Sequence, residues 1–130
     1  MPLILLLRII GTASLLALVA VAMPYAWMDS IHAGLGMGAL PSDPIVGYLA
    51  RTLSAFYALY GGLLWTLSFD TKRHHAIIRY IGFATFGFGL ILVAIDWTEG
   101  MPFYWKLVEG PIAIVYGVSI LRLNGRSGSD

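Results

Sequence analysis

Apolar residues fall into four long blocks separated by short polar breaks, and that alternation predicts the architecture. The first block, Leu3 to Met23, is interrupted only by Arg8, Thr12 and Ser14. At about 21 residues it is long enough to cross a hydrocarbon core of ~30 Å. The next blocks run from about Ile45 to Phe69, Ala76 to Ile95 and Phe103 to Leu123. Between the first two, Pro24 to Pro44 carries three glycines and a proline at each end, which marks a break. Within it Tyr25, Trp27, Met28, Ile31 and Leu35 could line the apolar side of a short helix at the membrane surface, with Asp29 and His32 on another side. The expected fold is an all-α membrane bundle of four spanning helices with one short interfacial helix between the first two. Residues 1–123 form that bundle, and residues 124–130 form a polar cytoplasmic tail.

Composition agrees. Hydrophobic residues make up 58% of the 130-residue chain and charged ones 12%, where a soluble domain holds about a quarter charged residues. A net charge of +1 without a basic run argues against a nucleic-acid partner. With no cysteine, disulfides, thiolate metal sites and cysteine nucleophiles are excluded. Ala20-Val21-Ala22 offers a signal-peptidase-like site, but no positive side chain precedes the apolar run, so the first block reads as a retained helix.

Lys72, Arg73 and Arg79 cluster at the second break and Arg122 and Arg126 at the end of the chain. The first break has no Lys or Arg, and the third is followed only by Lys106. The bias of Lys and Arg toward the cytoplasmic side then predicts that both termini are cytoplasmic. The same topology puts Asp29, Asp43, Asp96, Glu99 and Glu109 at the outer side.

Arg51 stands out because it lies inside the second block, where a charge near the bilayer centre costs roughly 2.5–3.5 kcal/mol. Ala50, Ser54, Ala58 and Gly62 follow one another at every fourth position, a small-residue stripe suited to close helix approach. Gly82, Gly89 and Asp96 are spaced by seven on the third block, and Glu109, Ala113 and Gly117 by four on the last. Pro111 is expected to interrupt that last helix. Glu109 is the expected partner of Arg51, with Asp96 second. The candidate ligand-binding set is therefore Arg51, Glu109, Asp96, Asp29 and His32. Two readings stand for the Arg51–Glu109 pair, a packing device and a ligand pocket.

Asp29 and His32 could supply two metal ligands, completed by Asp96 or Glu99, but His32 reads more simply as a polar residue at headgroup level; no histidine lies mid-helix for haem, and no metal or cofactor is assigned. No phosphate loop, dinucleotide fingerprint or Ser-His-Asp arrangement appears, and no catalytic residue is assigned.

The run from Trp27 to Arg51, with Gly100 to Trp105 and Glu109-Gly110-Pro111, resembles an uncharacterised family of small four-helix bacterial membrane proteins. The architecture is also similar, more loosely, to DoxX-like proteins, some associated with quinone or thiol redox systems. The resemblance implies a bacterial inner-membrane location and no activity. The leading expectation is a non-enzymatic protein that holds a small amphiphile, lipid-like or quinone-like, at the outer side of the bundle among membrane lipid. The alternative is an accessory subunit of a larger membrane complex or a homo-oligomer. A membrane enzyme using His32 and the carboxylates is the third reading.

Overall fold

A computed structural model describes residues 2–127. It contains α1 (Pro2–Leu15), α2 (Leu18–Ala22), α3 (Tyr25–Gly34), α4 (Pro44–Leu67), α5 (His75–Thr98) and α6 (Phe103–Ser127), and no strand among the described residues. Three stretches are long and apolar enough to cross a membrane: Pro2–Ala22 taken across the α1–α2 junction, His75–Thr98 and Phe103–Arg126. The second block forms a helix of 24 residues, about 36 Å at 1.5 Å per residue. Its length suffices for a span, but Arg51 and the tyrosines at 48, 57 and 60 dilute its apolarity.

The chain divides into two compact units. One is built from the start of the chain through Leu7 and everything from Leu67 onward; the other is Arg8–Thr66.

In the first unit α5 and α6 form an antiparallel pair whose contact runs along glycines. A Cβ added at Gly117 would lie 2.8 Å from the Gly82 carbonyl oxygen and 2.5 Å from the Phe86 nitrogen. At Gly89 it would lie 2.9 Å from the Gly110 carbonyl oxygen, and at Gly110 it would lie 3.0 Å from the Gly89 carbonyl oxygen. Both helices therefore repeat in steps of seven: His75, Gly82, Gly89 and Asp96 on α5, and Gly110, Gly117 and Asn124 on α6. Seven residues make nearly two whole turns, so each set stays on one side of its helix. Asn124 Nδ2 closes the far end by donating to the His75 carbonyl at 3.0 Å. The unit's buried apolar residues are Leu3, Leu7, Leu67, Ile78, Ile81 and Ile120.

Two expectations change here. Pro111 lies inside α6 without breaking it. Its missing N–H removes one bond to the Leu107 carbonyl, while close packing at Gly110 and Gly117 holds the helix on either side. The last helix also runs past residue 123: α6 continues through Ser127, with Asn124 buried against α5. Residues 128–130 lie outside the described residues.

In the second unit α1 crosses α4 at one glycine pair. A Cβ at Gly61 would lie 2.5 Å from the Gly11 carbonyl oxygen, and one at Gly11 would lie 3.0 Å from the Gly61 carbonyl oxygen. Gly62, the glycine of the expected stripe, has nothing within 4 Å of an added Cβ. The reason is rotational. Each step of four residues turns about 40° past a full turn, so three such steps carry Gly62 about 120° from Ala50. Beyond Thr12 the first span tightens into bonds of the three-residue type, Ala17 N–H to Ser14 carbonyl and Val19 N–H to Leu16 carbonyl, which separate α2 from α1.

Large apolar side chains cover the outside of every long helix: Leu5 and Ile9 on α1, Leu49, Leu53, Phe56 and Leu59 on α4, Ile91 on α5, Val115 on α6. So much exposed apolar surface suits a lipid surround rather than water.

Candidate functional site

The expected site residues fall in both units: Arg51, Asp29 and His32 in Arg8–Thr66, Asp96 and Glu109 in the other. Each was placed by a different local device.

Arg51 projects from the second turn of α4 and is exposed. Gly47, one turn earlier, is buried, and a Cβ there would sit 3.7 Å from Arg51 Nη1, so the guanidinium lies over a bare stretch of backbone. Arg51 Nη2 donates to the Met23 carbonyl at 3.1 Å. Met23 caps the C-terminal end of α2, where carbonyls lack an intrahelical donor and the peptide dipoles concentrate negative charge. A guanidinium has five N–H donors; this contact uses one.

Asp29 and His32 are committed to the loop that follows α3. Gly36 and Gly38 have φ of 75° and 81°, which lets the chain turn back over the helix. Asp29 Oδ1 then accepts the Leu40 N–H at 2.7 Å. His32 Nδ1 lies 2.8 Å from the Gly38 carbonyl; since a carbonyl only accepts, Nδ1 carries the proton. Tyr25 adds a third clasp, its hydroxyl donating between the Leu40 and Pro41 carbonyls, 2.6 Å from each. Desolvation, then the Asp29 and Asp43 charges, raise the Tyr25 phenol above its usual value. The pairing of Asp29 with His32 on one face of α3 is thus present, and it serves the loop's shape.

In the other unit Asp96 ends the seven-step seam of α5. It is 3% exposed, and its Oδ2 is buried without a hydrogen-bond partner. Glu109 accepts from Trp105 Nε1 at 2.7 Å, one turn earlier on α6. Lys106 places its ammonium 4.5 Å from the Trp97 ring centre, within cation–π range.

Sequence reasoning passed over several of these groups. The Met23 carbonyl and the Tyr25 hydroxyl leave no sequence signal. The Trp105–Glu109 bond was within reach, being an i, i+4 pair. A further polar joint, Trp65 Nε1 donating to Thr12 Oγ1 at 3.1 Å with Arg8 stacked 5.0 Å from the Trp65 ring, required knowing that α1 and α4 are antiparallel. No group of three or more metal-ligating side chains occurs among the described residues. No known protein family, curated protein or solved structure matches this chain.

Proposed function

We propose that the chain is a multi-pass protein of the bacterial inner membrane that holds a small amphiphile by a polar or anionic head on Arg51. In this reading both termini are cytoplasmic, α4 is a fourth span and α3 lies at the outer interface. The orientation is supported by the α5–α6 hairpin: Lys72, Arg73, Arg79, Arg122 and Arg126 lie toward one end, and Lys106 is the cation near the other. The family resemblance rests on the sequence motifs and points to the same location.

Arg51 carries the functional part. It is exposed on a largely apolar helix, fixed in direction by the Met23 carbonyl, with donors to spare. A lipid-like or quinone-like molecule with a carboxylate, phosphate or carbonyl head would meet those donors while its apolar part lies along α4, where Tyr48 is exposed beside Arg51. Asp29 and His32 act as positioning residues for the loop, and Glu109 and Asp96 are left out of the contact set. The test is thermal melting in dodecyl maltoside with and without dodecyl phosphate. Wild type should be stabilised by the phosphate amphiphile and Arg51→Gln should not; equal shifts in the two proteins would reject the site.

The second reading, an accessory subunit or homo-oligomer, is favoured by one observation. Gly62 and Gly87 lie within long helices yet have open space where a Cβ would be, as small residues that await another helix do.

A further inference from the structure

Arg51 is a charge without a counter-charge. Among the described residues no carboxylate forms an ion pair with it; its contact is the Met23 carbonyl, 3.1 Å from Nη2. Asp29, a carboxylate of the same unit, accepts the Leu40 N–H instead. A cation on a helix of largely apolar surface is costly unless an anion meets it, so the balancing charge must come from outside the chain.

The donors that remain decide what that anion is. A guanidinium presents parallel N–H pairs along two edges, Nε with Nη2 and Nη1 with Nη2. Nη2 has one hydrogen in each pair, so the bond to Met23 spends one pair and leaves the other whole. A whole pair matches two oxygens carried on one atom, as in a carboxylate or phosphate. It does not match the single oxygen of a quinone carbonyl.

Gly47 keeps the guanidinium in place. It is buried, and apart from its chain neighbours and its own helix backbone, the group within 4 Å of a Cβ built there is Arg51 Nη1, at 3.7 Å. Side chains on a helix lean toward its N-terminus, so Arg51 lies back over the turn that Gly47 leaves bare. An alanine methyl there would be in ordinary contact. A leucine would stand where the guanidinium lies and lift it from the Met23 carbonyl.

We propose that Arg51 takes an amphiphile with a two-oxygen anionic head, a carboxylate or phosphate, on one guanidinium N–H pair, and that Gly47 is the residue that positions this pair. The proposal rests on Arg51 being the head-group site and narrows its ligand by excluding neutral carbonyl heads.

The test is native mass spectrometry in dodecyl maltoside with dodecyl phosphate, dodecanoate, inorganic phosphate and a dodecyl-substituted benzoquinone. Wild type should retain dodecyl phosphate and dodecanoate about tenfold better than the quinone, the scale of one charge-assisted contact. Inorganic phosphate at equal concentration should not displace them. Arg51→Lys keeps the charge but loses the pair, so it should retain dodecyl phosphate about tenfold less. Gly47→Leu should lose a similar factor with the melting temperature of the free protein unchanged, while Gly47→Ala should bind as wild type does. Quinone retained as well as dodecyl phosphate, displacement by inorganic phosphate, or wild-type retention in Arg51→Lys would overturn the proposal. Unchanged retention in Gly47→Leu would overturn the role of Gly47. Arg51 is exposed, so Arg51→Lys decides the pair even if Gly47→Leu does not fold. Failure of the underlying site gives a different result: Arg51→Gln then retains dodecyl phosphate as wild type does. Failure of the pair alone gives loss in Arg51→Gln with retention in Arg51→Lys.

Discussion

The two helix pairings, α5 with α6 and α1 with α4, are both antiparallel and both use glycine, yet they are joined by different physics. The α5–α6 seam is backbone against backbone at two levels, Gly82–Gly117 and Gly89–Gly110, with the Asn124 amide bonded across it at one end and Lys106 over the Trp97 ring at the other. Small residues at such levels let backbones approach, so that dispersion acts along the whole seam. The α1–α4 pairing has a single glycine crossing at Gly11–Gly61. On either side of it the joints are made by polar side chains: Trp65 to Thr12, Arg8 over Trp65, Arg51 to the Met23 carbonyl. The first kind of joint is close-packed along its glycines. The second leaves the Arg51 guanidinium at the surface with donors to spare, which is why the proposed head-group position falls in that unit.

The sharpest way to break this comparison is to put a methyl into the seam. Gly117→Ala would place a carbon 2.5 Å from the Phe86 nitrogen, and backbone cannot move aside as a side-chain tip can. A loss of about 1–3 kcal/mol is expected. Gly87→Ala, on the same helix pair but with open space, should instead gain about 0.5–1 kcal/mol from reduced backbone freedom in the unfolded chain. Thermal melting of the two variants should therefore show opposite signs; a shared sign would mean that the α5–α6 seam is not where these helices meet.

A smaller effect is expected at the single crossing of the other unit. Gly61→Ala should destabilise, because the added carbon meets the Gly11 carbonyl at 2.5 Å, while Gly62→Ala should be neutral or stabilising. Since polar joints flank this crossing, its helices can separate slightly and retain them, so the loss should fall below that of Gly117→Ala. A greater loss at Gly61 would reverse the contrast drawn between the units.

The smallest effect concerns the loop clasp. The Tyr25 phenol pKa is raised in the folded protein, so the proton is held more tightly folded than unfolded. The associated stability is complete below the unfolded value near 10 and is lost as pH rises through the folded one. Deprotonation would replace donation to the Leu40 and Pro41 carbonyls with repulsion. Tyr25→Phe should therefore remove part of the melting-temperature decline above pH 10; an identical decline in both proteins would show that the clasp does not contribute.

The comparison also explains what the sequence made legible. The α5 face was readable because Gly82, Gly89 and Asp96 keep to steps of seven, and all three are buried. The stripe on α4 was misread by one residue, since steps of four drift and Gly61 rather than Gly62 meets α1. Arg51 was visible as a charge out of place, but its partner is the Met23 carbonyl, a group every residue carries. Asp29 and His32 were correctly placed on one face of a ten-residue helix. Their use in closing the loop depended on where Gly36 and Gly38 turn the chain, which spacing along a helix does not encode.

The central claim is that head-group binding belongs to the unit joined by polar side chains and centres on Arg51. Native mass spectrometry with dodecyl phosphate tests it most directly, comparing wild type, Arg51→Gln and Lys106→Gln. Lys106 is the cation near the Asp96 end of the α5–α6 hairpin, held over Trp97. The account predicts that Lys106→Gln retains the amphiphile as wild type does and that Arg51→Gln loses most of it while remaining folded. Loss in Lys106→Gln with retention in Arg51→Gln would contradict it and place the binding on the glycine-seamed hairpin.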